Sequence, residues 1–400
     1  MAKQSLFLIL ISIPFIIGCR KQAAPPLFIF GDSLFDAGNN NYINTSTLDQ
    51  ANFWPYGISY FRHPTGRFSD GRLIPDVIGN PGPIYTRPIF KYLFLINFKF
   101  YFFNFFASSN ILCKAIAEHA ELPLVPPYLQ QRNYQEYLHN YNGVNFASAG
   151  AGALSETFQG LVINLKTQLN YYKREIAELS KKIGKAEAAR ISSTAVYMFS
   201  IGSNDYMSPF LLNSTILSSY PHSTYVDMVL GNLSTVVKAI HKKGGRKFIF
   251  LNLGELGCFP GLRILNPETD GGCLEEVSEL SKLHNNKLKT FLVKMEQQLY
   301  GFKYFLYDFK TSLAEKTTQP LKYGFEEGRM ACCGTGRLNA VFSCGGKRLV
   351  KEFQVCENPN KYVFWDSYHL TERVYKQMAD EMWNASTDRN NSLKELFLCF

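Results

Sequence analysis

Four short apolar runs, kept apart by long amphipathic stretches, constrain this chain more than any other feature. Leu27–Phe30 ends at Gly31, and Ala195–Ile201 runs into a Gly-Ser-Asn-Asp turn. Lys247–Leu253 follows the helix stop Gly244-Gly245, and Lys303–Tyr307 follows Gly301. Between them, Leu161–Ala188, Tyr225–His241 and Leu274–Leu299 have helical spacing. A short continuous apolar run bounded by turn residues fits a buried strand. Strands separated by helices call for parallel βαβ units with helices covering the sheet. In open sheets of that kind the chemistry sits beyond the carboxyl ends of the strands. Reactive groups are therefore expected in the loops that open at Gly31, Gly202 and Asn252.

The length of 400 residues suits one large core or two small ones. With 46% hydrophobic and 19% charged residues, the balance is that of a globular chain, which excludes wholesale disorder, collagen and coiled coil. The formal charge of +9 hints at nucleic acid, but its distribution removes the hint. Residues 1–25 carry Lys3, Arg20 and Lys21 without an acid, and residues 77–117 carry Arg87, Lys91, Lys99 and Lys114 without an acid. Those seven positives leave +2 for the rest, with no basic cluster for a folded face. No nucleic-acid partner is expected.

The first 24 residues read as a secretory signal peptide: Lys3, an apolar core over Ser5–Gly18, then Arg20-Lys21. The core is short for a spanning helix, so no stable membrane span is expected in the mature chain; an uncleaved anchor is the alternative. Secretion implies an oxidising compartment. Cys258, Cys273, Cys332, Cys333, Cys344 and Cys356 then read as three disulfides whose connectivity spacing does not reveal. No Cys-x-x-Cys or His-x-x-x-His pair supports zinc. Five Asn-x-Ser/Thr sequons, at Asn44, Asn213, Asn232, Asn384 and Asn390, become glycan candidates in a secreted chain.

Residues 25–400 read as a single domain with one foreign segment, at about 78–115. Phe90–Phe106 holds ten aromatics in 17 positions and shows neither helical nor strand alternation. Three readings stand: a membrane-facing element, an insertion packed on the body, or translated intron. Lys91, Asn97, Lys99 and Asn104 are costly in hydrocarbon. Joining Val77 directly to Ile116 restores a continuous amphipathic helix with a Pro stop.

Four separated blocks carry the chemistry. In Phe28–Asn41, Ser33 follows a strand end and is expected to open a helix, with its hydroxyl above the sheet and its N–H toward an anion. A plain N-cap serine is the simpler alternative. In Gly143–Gly152, small residues let a backbone N–H approach a ligand closely, or merely make a tight turn. In Phe199–Tyr206, the Asn204 amide is placed to donate to an oxyanion, or to form an Asx-turn. In Phe364–Glu372, Asp366 and His369 are three apart and can face one way, as a carboxylate–imidazole pair or as a local cap. A serine hydroxyl needs a base to attack a carbonyl. The blocks offer a base, an orienter and oxyanion donors on loops that a parallel sheet gathers at one edge. No Gly-x-Ser-x-Gly occurs, which argues against an α/β-hydrolase elbow.

These blocks, with Pro55-Tyr-Gly57, Gly66–Asp76 and Cys332-Cys-Gly334, resemble the plant GDSL esterase/lipases of the SGNH-hydrolase superfamily. The resemblance covers roughly residues 26–390 apart from 79–115. It implies a flavodoxin-like three-layer α/β/α fold with a mainly parallel sheet. It implies Ser33 as nucleophile, His369 as base and Asp366 as its partner. It implies an oxyanion hole from the Ser33 and Gly150 N–H groups and the Asn204 side chain, and no metal or cofactor. Leu370 stands where the family usually has Pro, and Ala149-Gly150 where Gly-Gly is frequent. The expectation is a secreted esterase or lipase acting on small-molecule or lipid esters. An acyltransferase with the same triad and a non-catalytic secreted binding protein are the rivals; the oligomeric state is left open.

Overall fold

The structure, a computed structural model, describes residues 25–79, 124–131, 141–266, 271–385 and 393–398. The expected signal peptide, the sequon Asn390 and all but the first two residues of the aromatic segment lie outside these. The described residues belong to one compact unit.

Five strands form one parallel sheet: β1 (Leu27–Gly31), β2 (Gly143–Asn145), β3 (Val196–Ser200), β4 (Lys247–Leu251) and β5 (Lys303–Tyr307), in the order β2-β1-β3-β4-β5. The chain leaves β1 toward β2 on one side and returns to β3 on the other. That reversal opens a crevice beyond the ends of β1 and β3. β1, β3 and β4 are buried along their whole length, which is why they read as unbroken apolar runs. β5, at the edge, is only partly covered.

Register turns the aromatic residues of these strands into ladders. Phe28 pairs with Tyr197, which pairs with Phe248; Phe30 pairs with Phe199, which pairs with Phe250. The rings stack at 5.4, 5.4, 4.9 and 5.3 Å between centroids. Much of the aromatic content thus lies in the core as well as in the 90–106 segment.

Two sets of helices flank the sheet, giving the three-layer α/β/α architecture. Helices 165–183, 222–242 and 275–298 pack on one another, as do helices 74–79, 372–384 and 393–398. The long stretch expected as one helix over Leu161–Ala188 is two, Leu165–Ile183 and Lys185–Thr194. Gly184 at φ +89° ends the first, because a backbone in that region cannot continue a right-handed helix. The helix expected to open at Ser33 is absent. Residues 32–36 form a turn, in which Asp32 O accepts from the N–H groups of Phe35 and Asp36. The next acceptor along is a side chain: Asp36 takes the N–H groups of Gly38 and Asn39 and so stops the helix.

All six clustered cysteines pair among themselves: Cys258–Cys273, Cys332–Cys356 and Cys333–Cys344. The last two flank the strand next to the Asp366 block. Among the described residues no helix is long and apolar enough to cross a membrane.

Candidate active site

The loop after β1 carries Ser33, and side chains rather than secondary structure bind it to the loop after β2. Asp36 Oδ2 accepts from Ala149 N at 2.9 Å. Asn39 Nδ2 donates to Asn145 O and Ala147 O at 2.9 and 2.8 Å, and Asn40 Nδ2 donates to Ala149 O at 3.0 Å. In return Asn145 Nδ2 donates to Phe35 O at 2.7 Å. The Asn-rich turn is therefore a set of amide clamps that fixes Ser33 against Gly150.

The loop after β3 is tied in the same way. Asp205 accepts from Ala153 N, Leu154 N and Thr157 Oγ1 at 2.8, 3.0 and 2.7 Å. Asn204, in the first turn of helix Ser203–Leu211, uses one N–H on Ala151 O at 3.0 Å and keeps the other available. It makes no Asx-turn. Burial pushes Asp32 up to about 7 and Asp36 and Asp205 up to about 6; the hydrogen bonds they accept work in the opposite direction.

The fourth block closes from the far end of the chain. Phe364 bridges Leu370, and Trp365 N donates to His369 O at 2.8 Å, so residues 364–370 form a tight loop. Asp366 Oδ1 accepts from the N–H groups of Tyr368 and His369, both at 2.9 Å, and from His369 Nδ1 at 2.7 Å. Local capping and imidazole orientation are thus the work of one carboxylate. His369 Nε2 lies 2.7 Å from Ser33 Oγ. Burial raises the Asp366 carboxyl, but the imidazole, the Tyr368 N–H and the Tyr56 hydroxyl together hold it below its ordinary value. Leu370, the departure from the usual Pro, uses its N–H on Tyr375 Oη at 3.2 Å, a bond that proline lacks.

Ser33, Gly150, Asn204 and His369 line a single cavity of about 320 Å³, within the range of small-molecule sites. Among the described residues the backbone N–H groups of Ser33 and Gly150 have no acceptor in the protein. Two N–H donors and an amide beside a hydroxyl–imidazole pair can hold a developing oxyanion while that hydroxyl attacks. The walls are apolar, with Leu48, Phe158, Leu161, Met207 and Phe259 among them. Of the three loops singled out by the strand pattern, the third starts with a structural residue: Asn252 ties the end of β4 to Asp308 and Lys310.

Three residues around this site carry no role in the motif reading. Tyr56 donates to Asp366 Oδ2, Arg348 donates to Tyr56 Oη, and Asp49 lines the cavity. Tyr56 lies in the Pro55-Tyr-Gly57 motif. Arg348 and Asp49 sit in no spacing pattern at all. Gly66–Asp76 is a clamp. Arg67 makes a two-pronged pair with Asp76 and donates to Ala37 O, while Arg72 pairs with Glu372.

Comparison with known proteins gives the family. Residues 27–382 match the family model for GDSL-like lipase/acylhydrolase. GDSL esterase/lipase 5 of Arabidopsis thaliana is 51% identical over 90% of this chain and 82% of its own length. GDSL esterase/lipases 2 and 1 of the same plant are 45% and 44% identical, over 90% and 93% of this chain and 86% and 89% of theirs. A hydroxyl–imidazole–carboxylate chain at the switch point of a parallel sheet, with relatives of this similarity over nearly the whole length, leads to one conclusion: the chain is an ester-bond hydrolase and belongs to the GDSL-like lipase/acylhydrolase family.

Proposed function

We propose that this enzyme is a secreted serine esterase that hydrolyses lipid or acyl carboxylic esters through an acyl-enzyme on Ser33. The observation that carries the reading is the unbroken chain from Ser33 Oγ to His369 Nε2 at 2.7 Å and from His369 Nδ1 to Asp366 Oδ1 at 2.7 Å. His369 takes the Ser33 proton as Oγ bonds to the ester carbon and the carbonyl electron pair moves to oxygen. The Ser33 and Gly150 N–H groups and the Asn204 amide stabilise that oxyanion. Asp366 stabilises the imidazolium. As the oxyanion collapses, the C–O bond to the alcohol breaks and His369 protonates the leaving oxygen. Water then loses a proton to His369 and attacks the acyl carbon. The C–Oγ bond breaks, and the proton returns to Ser33.

Apolar walls favour an acyl chain in the cavity. Leu48, Leu161 and Leu212 remain exposed at it, at 38%, 41% and 60%. Secretion is supported by the three disulfides, which persist in oxidising compartments. Glycosylation is supported by the exposure of Asn44, Asn213, Asn232 and Asn384.

The test is Ser33→Ala on a p-nitrophenyl acyl ester. Turnover is expected to fall by about four to six orders of magnitude, with an unchanged melting temperature. An organophosphorus probe is expected to label Ser33 in the wild type. Wild-type-like turnover by pure Ser33→Ala protein overturns the reading.

A further inference from the structure

We propose that Asp49 is a recognition carboxyl in the ester-binding cavity, and that the preferred substrates carry a hydroxyl group close to the scissile carbonyl. The inference rests on the proposed chemistry at Ser33 and adds the substrate class that this site selects.

Asp49 is held rigidly by its backbone. Its N–H donates to Ser46 O at 3.0 Å, and its carbonyl accepts from Asn40 Nδ2 at 2.8 Å. The side chain lines the same cavity as Ser33, Gly150, Asn204 and His369 and is only 9% exposed. Its Oδ1 lies beside the Gly150 backbone, 2.5 Å from where a Cβ on that glycine would stand. A group that reaches Asp49 is therefore next to the N–H proposed to hold the oxyanion.

Among the described residues the Asp49 carboxyl accepts a hydrogen bond from no protein group. The other buried carboxyls around the site differ in this respect. Asp32, Asp36, Asp205 and Asp366 each accept at least one N–H or O–H. The Asp49 carboxyl opens on the cavity, where a ligand that brings a donor satisfies it directly.

The donor chemistry follows from the neighbours. Arg348 is the nearby charge that acts on this carboxyl, and it would repel a cationic ligand. Burial pushes the group up to about 7, against the effect of Arg348, so both protonation states are accessible near neutrality. A hydroxyl suits both, since a carboxyl oxygen accepts from it in either state. The rest of the lining is mainly apolar, so the ligand is amphiphilic: a hydroxyl beside the ester and hydrocarbon beyond it.

The hydroxyl can belong to the alcohol or to the acyl group, and three esters separate the cases: 1-monobutyrin, propyl 3-hydroxybutyrate and propyl butyrate. With the full chain, kcat/KM for at least one hydroxylated ester is expected to exceed that for propyl butyrate by about tenfold or more. Asp49→Leu is expected to bring that ratio to about one, and Asp49→Asn to keep part of it. The ester whose advantage disappears identifies the side that carries the hydroxyl. Equal wild-type kcat/KM for all three esters overturns the proposal without any variant. So does a preference that survives in Asp49→Leu, or an equal loss on all three. Ser33→Ala that retained turnover would sink the serine chemistry alone and leave the Asp49 comparison readable.

Discussion

The phenol of Tyr56 donates to Asp366 Oδ2 across 2.7 Å, and Arg348 Nη2 donates to the same phenol oxygen across 3.0 Å. All three residues are fully buried. The carboxylate that orients His369 is thus itself oriented from a part of the chain 310 residues away. Burial and the Asp366 charge keep the Tyr56 hydroxyl protonated, so it remains a donor. Tyr56→Phe keeps the ring and removes the bond. A hydrogen bond to a charged group contributes about 1.5–3 kcal/mol, and only part of that changes in the transition state. A fall in kcat of about tenfold with little change in KM is expected. Asp366→Asn should cost about 10,000-fold, the scale known for loss of the orienting carboxylate in a serine triad. Steady-state kinetics checks both, and Tyr56→Phe with wild-type kcat shows that the Tyr56 bond does not tune the Asp366–His369 pair.

Asn204→Ala should lower kcat about 100- to 1000-fold if its free N–H meets the oxyanion. KM should move far less. Gly150→Ala is a different experiment on the same hole. Gly150 has φ +76°, and a Cβ there would sit 2.5 Å from Asp49 Oδ1 and 2.9 Å from Val162 Cγ1. That backbone region costs a non-glycine residue about 1–2 kcal/mol, so a lowered melting temperature should accompany the loss of activity. A fully active, equally stable Gly150→Ala enzyme would contradict the geometry.

The disulfides reach the site through one strand. Cys332 N donates to Phe364 O and Cys333 N to Trp365 O, directly before Asp366. Cys333–Cys344 closes a loop with a sequence separation of 11. Replacing both cysteines with Ala should cost about 3 kcal/mol on the chain-entropy account, read as a lower denaturant midpoint. Reduction of the intact enzyme should likewise lower its melting temperature. Stability that is insensitive to reductant would rule out this bracing.

The buried carboxyls set a pH dependence of stability whose sign runs against the usual carboxylate case. Asp32 sits at about 7, and Asp36 and Asp205 at about 6, all raised by burial from 3.8. Because the folded state holds these protons more tightly, their contribution is fully present below the unfolded value of 3.8. It is lost as pH rises to about 6 for Asp36 and Asp205 and to about 7 for Asp32. The lowered Asp366 acts oppositely, with stability present above 3.8 and lost as pH falls through its folded value. Asp32, Asp36 and Asp205 should therefore pull the melting temperature down from about pH 4 toward pH 7, while His284, lowered by burial from 6.5 to about 3, works the other way. Asp32→Asn should flatten that slope, and an unchanged slope would refute the assignment.

The limits of local pattern show in particular residues. Lys303–Tyr307 was legible as a strand to the residue, because a short apolar run bounded by Gly301 has one economical fold in a βαβ chain. The turn at Ser33 was not, since it depends on Asp36 reaching Ala149, a partner 113 residues away. Nor was the break at Gly184, where helical spacing continues on both sides.

By itself the sequence determined the strand–helix alternation, hence the parallel sheet, and the residue types able to do acyl chemistry at the strand ends. Those follow from periodicity and from motifs a few residues long. Which cysteines pair, which loop side chains meet, and that Tyr56, Arg348 and Asp49 surround the Ser33, His369 and Asp366 cluster were decided only in the tertiary structure. Each of those contacts joins positions whose separation along the chain carries no periodic signal, and burial, rather than spacing, determines what a carboxyl, a phenol or a guanidinium does there.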